Sequence, residues 1–291
     1  MYCRHKFLTL LLLLGLVGLN CYAEKLMKKK TVEELEEFKI KQETAYRNTS
    51  KGKQKIWGKQ IFSPLIQAHG EIIFSDNFDN LKNWHHEGGG TLTQPNKNIL
   101  QLNCIGARQG GIGCMAFCRK NFPDNICIEY DMKVVFSKGL VITFVAAQGR
   151  EDEDIITELP LREGIFTDYT HNPNMRSYHV SISRYNDKGE HTGTSNWRRN
   201  PGLFMMAQQN DLCEKINTWY HIAIIKKGSW LQLAVDGKLA GGFVDSNEIP
   251  EPIPSTGKIG YRAIGSEVIA QIKNFKVTSL NEINNTSGKM K

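Results

Sequence analysis

From Glu71 onward, apolar and polar positions alternate in short runs rich in Val, Ile, Phe and Tyr, and this two-residue period predicts strands rather than helices. The runs fall at 71–74, 99–102, 114–118, 126–136, 140–146, 178–185, 203–207, 219–226, 230–235, 258–262 and 270–279. Turn residues separate them. Phe122-Pro123-Asp124-Asn125 lies between two runs, Asp236-Gly237-Lys238 closes a hairpin, and Pro250, Pro252 and Pro254 break the approach to the last strands. About ten strands without a long intervening helix predict an all-β fold, an antiparallel sandwich or jelly roll over 61–280. That length supplies the core of one domain.

The period is different upstream. Val32, Leu35 and Phe38 recur every third residue over 31–47, with Thr31 as a cap and Glu34 at capping-box offset, which predicts a short helix. Residues 48–59 carry four lysines and two glycines and read as a tether, so 24–60 is expected to be a basic helical arm or linker. Residues 1–23 read as an export signal: Arg4, His5 and Lys6 precede an apolar run from Phe7 to Leu19, and Cys21-Tyr22-Ala23 has small residues for cleavage after Ala23. The run is shorter than the roughly twenty residues of a membrane span. Gly18-Leu19-Asn20-Cys21 offers an alternative, a lipoprotein signal ending before a lipidated Cys21 that would attach the chain to a membrane. The expected location is outside the cytoplasm of a bacterium, periplasmic or anchored at the outer membrane, and 281–291 is a polar tail.

Charge narrows the partners. The net charge of +7 is concentrated in the leader: residues 24–60 hold eleven Lys or Arg against six Asp or Glu, and 61–291 carry 24 of each sign. A neutral body argues against nucleic acid as a partner. Five cysteines remain after residue 23. They are expected to be buried small hydrophobes, with Cys118 and Cys127 the one pair that a hairpin about the Phe122-Pro123 turn would bring together.

Candidate chemistry is concentrated in 179–208. Alternation sends Val180 and Ile182 to one face and His179, Ser181, Ser183 and Tyr185 to the other, with Arg184 on the apolar side unless a bulge intervenes. Thr194, Asn196 and Arg198 share parity, while Ser195, Trp197 and Arg199 point oppositely. Such polar side chains are costly to bury unpaired and should line a groove for a polar ligand. Arg198 suits a carboxylate, Asn196 and Gln208 suit hydroxyls, and Trp197 either stacks on a sugar ring or belongs to the core. The long interval 149–176 should form a rim or lid, with Tyr169 its favoured contact.

Two reactions fit these residues. In an elimination, Arg198 and Asn196 would neutralise a uronate while His179 or Tyr185 removes the C5 proton and the other, or Tyr169, protonates the leaving oxygen. A hydrolase needs two facing carboxylates, and the groove strands supply no such pair. No cofactor is required and no Cys and His spacing suggests zinc. A structural calcium ion has candidate oxygen ligands at Glu151-Asp152-Glu153-Asp154 and at Asp76, Asn77 and Asp79.

Ile128-Glu129-Tyr130-Asp131, Phe144-Val145-Ala146-Ala147, Gly164-Ile165-Phe166, His179-Val180-Ser181, Asn196-Trp197-Arg198-Arg199, Ala207-Gln208 and Gly257-Lys258-Ile259-Gly260-Tyr261-Arg262 occur in an order that resembles the YesU-like family, a bacterial domain of unknown function, from about His69 to Leu280. The resemblance implies a concanavalin-like jelly-roll sandwich of two antiparallel sheets and a setting in polysaccharide breakdown. It further implies family likeness at His179, Ser181, Arg184, Asn196, Arg198 and Gln208. The chain departs in having Trp197 where an aliphatic residue is frequent and Gln209 where glycine is usual. The expected function is an exported carbohydrate-active protein that cleaves a uronic-acid-containing or pectin-like polysaccharide or oligosaccharide. The alternatives are a non-catalytic carbohydrate-binding module and a structural component of a surface glycan-uptake complex.

Overall fold

The computed structural model describes residues 33, 34, 36, 37, 40, 54–62, 65–67, 69–107 and 112–280. The chain divides into two compact units, Met1–Lys53 and Gln54–Lys291. In the first, Glu33, Glu34, Glu36, Glu37 and Ile40 are helical. The export signal, Cys21 and the tail 281–291 lie outside the described residues. Among those described, no helix is long and apolar enough to cross a membrane.

The second unit is all-β. Its strands among the described residues are β1 (Gly58–Ile61), β2 (Ile72–Asp76), β3 (Trp84–Gly88), β4 (Thr91–Thr93), β5 (Leu100–Asn103), β6 (Cys114–Cys118), β7 (Ile126–Gly149), β8 (Met175–Ile182), β9 (Thr194–Asn200), β10 (Phe204–Asn210), β11 (Tyr220–Lys227), β12 (Trp230–Val235), β13 (Lys238–Asp245) and β14 (Lys258–Ser279). The strand pairings are antiparallel, and β7 and β14 run through both layers of a jelly-roll-like sandwich. One layer has the order β1-β13-β12-β11-β7-β14-β5-β4. The other is built on the far halves of the two long strands, with β8, β9 and β10 beyond β7 and β6 and β3 beyond β14.

The fold turns where Gly139 faces Gly265. A Cβ on Gly265 would sit 2.4 Å from the Gly139 Cα, so glycine at both positions lets the two strands bend together. The sequence shows each bend as a break between two runs, whereas each long strand continues through it. Strands 114–118 and 230–235 have the expected bounds. Asp236 (φ 49°) and Gly237 (φ 72°) make the expected tight hairpin between β12 and β13, both in the left-handed region that such turns require.

Between the layers, Tyr261 stacks on Trp84 at 5.4 Å and meets Tyr130 at 4.9 Å, while Trp197 and Tyr178 both pack on Phe243, at 5.7 and 5.6 Å. Burying each such ring contributes roughly 1.5–3 kcal/mol. β1 closes the side of the sandwich between β13 and β10: it pairs with β13, the Trp57 N–H donates to Met205 O at 2.8 Å, and Gln60 Nε2 donates to Gln208 O at 2.8 Å. Residues 54–60, expected in the arm, therefore belong to the folded body.

All five cysteines among the described residues are free and buried. The Cys118–Cys127 pair is not formed, because β6 pairs with β3 and β14 rather than with the start of β7, which places Cys118 opposite Trp84. Burial pushes the Cys118 thiol up to about 11 and those of Cys114 and Cys127 to about 12. The calcium expectation at Asp76 also meets a different use of the side chain. Its carboxylate accepts from Phe78 N, Asn83 Nδ2 and Trp84 Nε1 at 2.7, 3.0 and 3.1 Å, stapling the turn after β2. In the acidic run, Asp152 pairs with Arg176 and Asp154 with Lys258. The described residues hold no group of three His, Cys, Asp or Glu side chains placed for a metal.

Candidate functional site

The outer face of the layer formed by β6, β14, β7, β8, β9 and β10 is covered at one end and open at the other. The loop 150–171 covers the first end. Its Ile155 and Tyr169 pack with Met115 and Phe117 of β6 and with Ile142 and Phe144 of β7. Polar pins beneath this apolar cover hold it down: Glu87 on β3 pairs with Arg162, and Arg262 on β14 donates to Gly164 O at 2.7 Å.

Beyond the loop, cross-strand register brings a polar row together. Ser181 on β8 lies opposite Asn196 on β9, which lies opposite Gln208 on β10; His179 lies opposite Arg198 in the next row. Ser181 Oγ donates to Asn196 O at 3.5 Å, and Gln208 Nε2 donates to Asn196 Oδ1 at 3.0 Å. Turning the Asn196 amide instead presents its oxygen to Arg184 Nη1 at 3.1 Å. Arg184 reaches this side because Ser183 adopts φ 50°, which interrupts the strand alternation. Arg184 Nη1 also donates to Thr194 Oγ1 at 2.7 Å, and Asp211 fixes the turn by accepting the Arg184 N–H at 2.8 Å. Gln208 is exposed, Arg184 and Arg198 are half-buried, and Asn196 keeps 7% of its surface. The row is an array of amide, hydroxyl and guanidinium groups suited to a polyhydroxylated ligand.

His179 sits where the covered and open parts meet, between Phe144 at 5.1 Å and Phe166 at 6.4 Å. Its Nδ1 takes a hydrogen bond from Asn200 Nδ2 at 2.9 Å, which places the ring proton on Nε2. Burial, followed by the charges of Arg198 and Arg262, pushes the imidazole down to about 3. It is therefore neutral at physiological pH, and a base this weak is poorly matched to removing a carbon-bound proton.

The other candidates are dispersed. Tyr169 is fully buried, and its hydroxyl donates to Glu87 Oε2 at 3.0 Å, so it anchors the loop and does not reach the row. Tyr185 lies past the Ser183 kink, bridges to His191 and donates to Glu214 O at 2.7 Å, away from His179. Trp197 is fully buried against Phe243 between the layers, which removes ring stacking on a ligand from its uses. Ser183 is buried, and its φ of 50° makes the kink that turns Arg184 toward the row. Arg198 donates to Leu203 O at 2.7 Å and to Gln54 Oε1 at 3.2 Å. Gln54, upstream of β1, and Gln60 within it come to the edge of the site through Arg198 and Gln208, and both are missing from the sequence expectations because this segment is too short and polar to show alternation. Of the buried carboxylates, Glu87 is held by Arg162 and Tyr169, Asp211 by His191 and Asp245 by Arg199.

Fold and site define an all-β, jelly-roll-like protein with a polar row on the outer face of one layer. The chain belongs to the family described as a domain of unknown function, DUF1961, whose model matches residues 71–277. It is 26% identical over 187 residues to the uncharacterized protein YesU of Bacillus subtilis (strain 168), covering 62% of this chain and 83% of that one. A crystal structure from Bacillus subtilis, of a protein of unknown function with a galectin-like fold, superposes with a TM-score of 0.65 at 23% identity over 73% of this chain and 98% of that one. An endo-beta-1,3-glucanase from Pyrococcus furiosus is more distant, with a TM-score of 0.49 at 12% identity over 74% and 96% of the two chains.

Proposed function

We propose that this protein is an exported carbohydrate-binding module whose open sheet face holds an oligosaccharide through Ser181, Arg184, Asn196, Arg198 and Gln208. The observation that carries this reading is the cross-strand row Ser181-Asn196-Gln208 with Arg184 beside it. Asn196 and Gln208 each offer a donor and an acceptor to ring hydroxyls, and the guanidinium groups suit a uronate carboxylate. His179, with its proton on Nε2, contributes a neutral donor at the end of the row.

The same geometry favours binding over cleavage. His179 is held neutral far below its ordinary range, Tyr169 is committed to Glu87, and Tyr185 lies elsewhere, so the base and acid of an elimination do not converge. The test is to titrate neutral and uronic-acid oligosaccharides into the protein and to assay the same mixtures for new reducing ends and unsaturated products. Binding without either product is expected, and Asn196→Ala is expected to weaken it about fivefold, the worth of one hydrogen bond. Turnover that survives purification, or wild-type affinity in Asn196→Ala, overturns the proposal.

A further inference from the structure

A second concavity lies away from the row. Three separate stretches form it: Phe136, Ser137 and Lys138 at the bend of β7; Tyr185, Lys188 and Gly189 in the turn after β8; and Glu214, Lys215, Ile216 and Thr218 before β11. Its volume is about 570 Å³, within the roughly 300–1,000 Å³ usual for ligand clefts.

The walls are fixed before any ligand arrives. The Tyr185 N–H donates to Gly139 O at 2.7 Å, its hydroxyl to Glu214 O at 2.7 Å, and the Asn217 N–H to Val134 O at 2.7 Å, so each stretch is tied to a neighbour. Preorganisation of this kind lowers the ordering cost of binding. Tyr185 is held on its other side by the His191 ring at 5.2 Å. Phe136 and Ile216 stay exposed, at 37% and 42%.

Charge gives the cleft its selectivity. Three lysines line it against one glutamate. Lys138 is engaged by Glu267 at 3.2 Å; of the two acids flanking Lys188, Asp187 accepts from Ser266 Oγ at 3.5 Å and Glu190 from Asn186 Nδ2 at 2.8 Å. Lys188 and Lys215 form no ion pair among the described residues. Two uncommitted ammonium groups beside aromatic and aliphatic surface match a ring with apolar C–H faces and an anionic substituent.

We infer that this cleft is a subsite for the carboxylate-bearing ring of an acidic oligosaccharide, with Tyr185 and Phe136 against the ring and Lys188 and Lys215 on the carboxylate. The inference rests on the carbohydrate reading of the sheet-face row and adds to it a preference for charge. It also gives Tyr185 a binding role separate from His179.

The test compares an oligogalacturonate with its fully methyl-esterified counterpart of equal length, titrated into wild-type protein, Lys188→Ala/Lys215→Ala and Asn196→Ala at low salt. Wild type should prefer the acid, and the double variant should lower the acid-to-ester affinity ratio about fivefold while binding the ester as before. Lys188→Glu/Lys215→Glu should lower the ratio further, and near-UV circular dichroism checks that each variant is folded. A ratio unchanged in both variants, no acid preference in wild type, or tighter binding of a sulfated oligosaccharide of equal length overturns the subsite and leaves the sheet-face row standing. Binding of neither ligand to wild type overturns both.

Discussion

The Tyr169 hydroxyl donates to Glu87 Oε2 at 3.0 Å, joining residues 82 positions apart. The same carboxylate accepts from Arg162 Nε at 2.8 Å, and Arg162 Nη2 donates to Ile155 O at 2.8 Å. One acid on β3 thus holds both ends of the cover that ends at Phe166 and Tyr169, and so sets where the open part of the sheet face begins.

Glu87→Gln should release that cover. The change leaves the Arg162 charge buried without its partner, which costs about 3–5 kcal/mol. Thermal unfolding should shift down accordingly, and limited proteolysis should cut first within 150–171. Adding Arg162→Met should recover much of the loss, because an apolar pair avoids the desolvation cost. A Glu87→Gln protein as stable as wild type would contradict the staple.

Trp197 distinguishes packing from recognition. Its side chain is fully buried on Phe243, so Trp197→Ala should cost about 3–5 kcal/mol, chiefly through the cavity it leaves. Folded protein at low temperature should bind oligosaccharide within about twofold of wild type, since the side chain faces away from the row. Undiminished stability together with lost binding would place the indole at the ligand instead.

How much of this was legible in the sequence depends on whether local pattern or long-range contact decides. Short alternating runs revealed the strands, because each has one face in the core and one outside. Gly139 and Gly265 read as interruptions, since a bend between two facing glycines involves residues more than a hundred positions apart and leaves only a local loss of alternation. β13 was hidden by Gly241 and Gly242, and β3 by its polar His85, His86 and Glu87. At the site, parity placed Asn196 and Trp197 on opposite faces, but it could not say which face met Phe243. Arg184 required the left-handed Ser183, which no residue type announces. Tyr169 and Tyr185 were drawn to His179 by proximity in sequence, whereas Glu87 and Glu214, distant in the chain, fix where they point.

The pH dependence of stability tests the state of His179. Unfolded, its imidazole titrates near 6.5; folded, burial holds it at about 3. Between these values the unfolded chain takes a proton that the native chain does not, so the contribution is fully present above about pH 6.5 and is lost as pH falls toward 3. By about pH 4.5 the loss is on the order of 2–3 kcal/mol. His179→Gln retains an acceptor for Asn200 Nδ2 without a titrating ring. Its urea midpoint should therefore fall less than that of wild type between pH 7.5 and about pH 4.5. Equal falls in the two proteins would mean that the wild-type ring is protonated in the fold, and would restore it as a candidate acid.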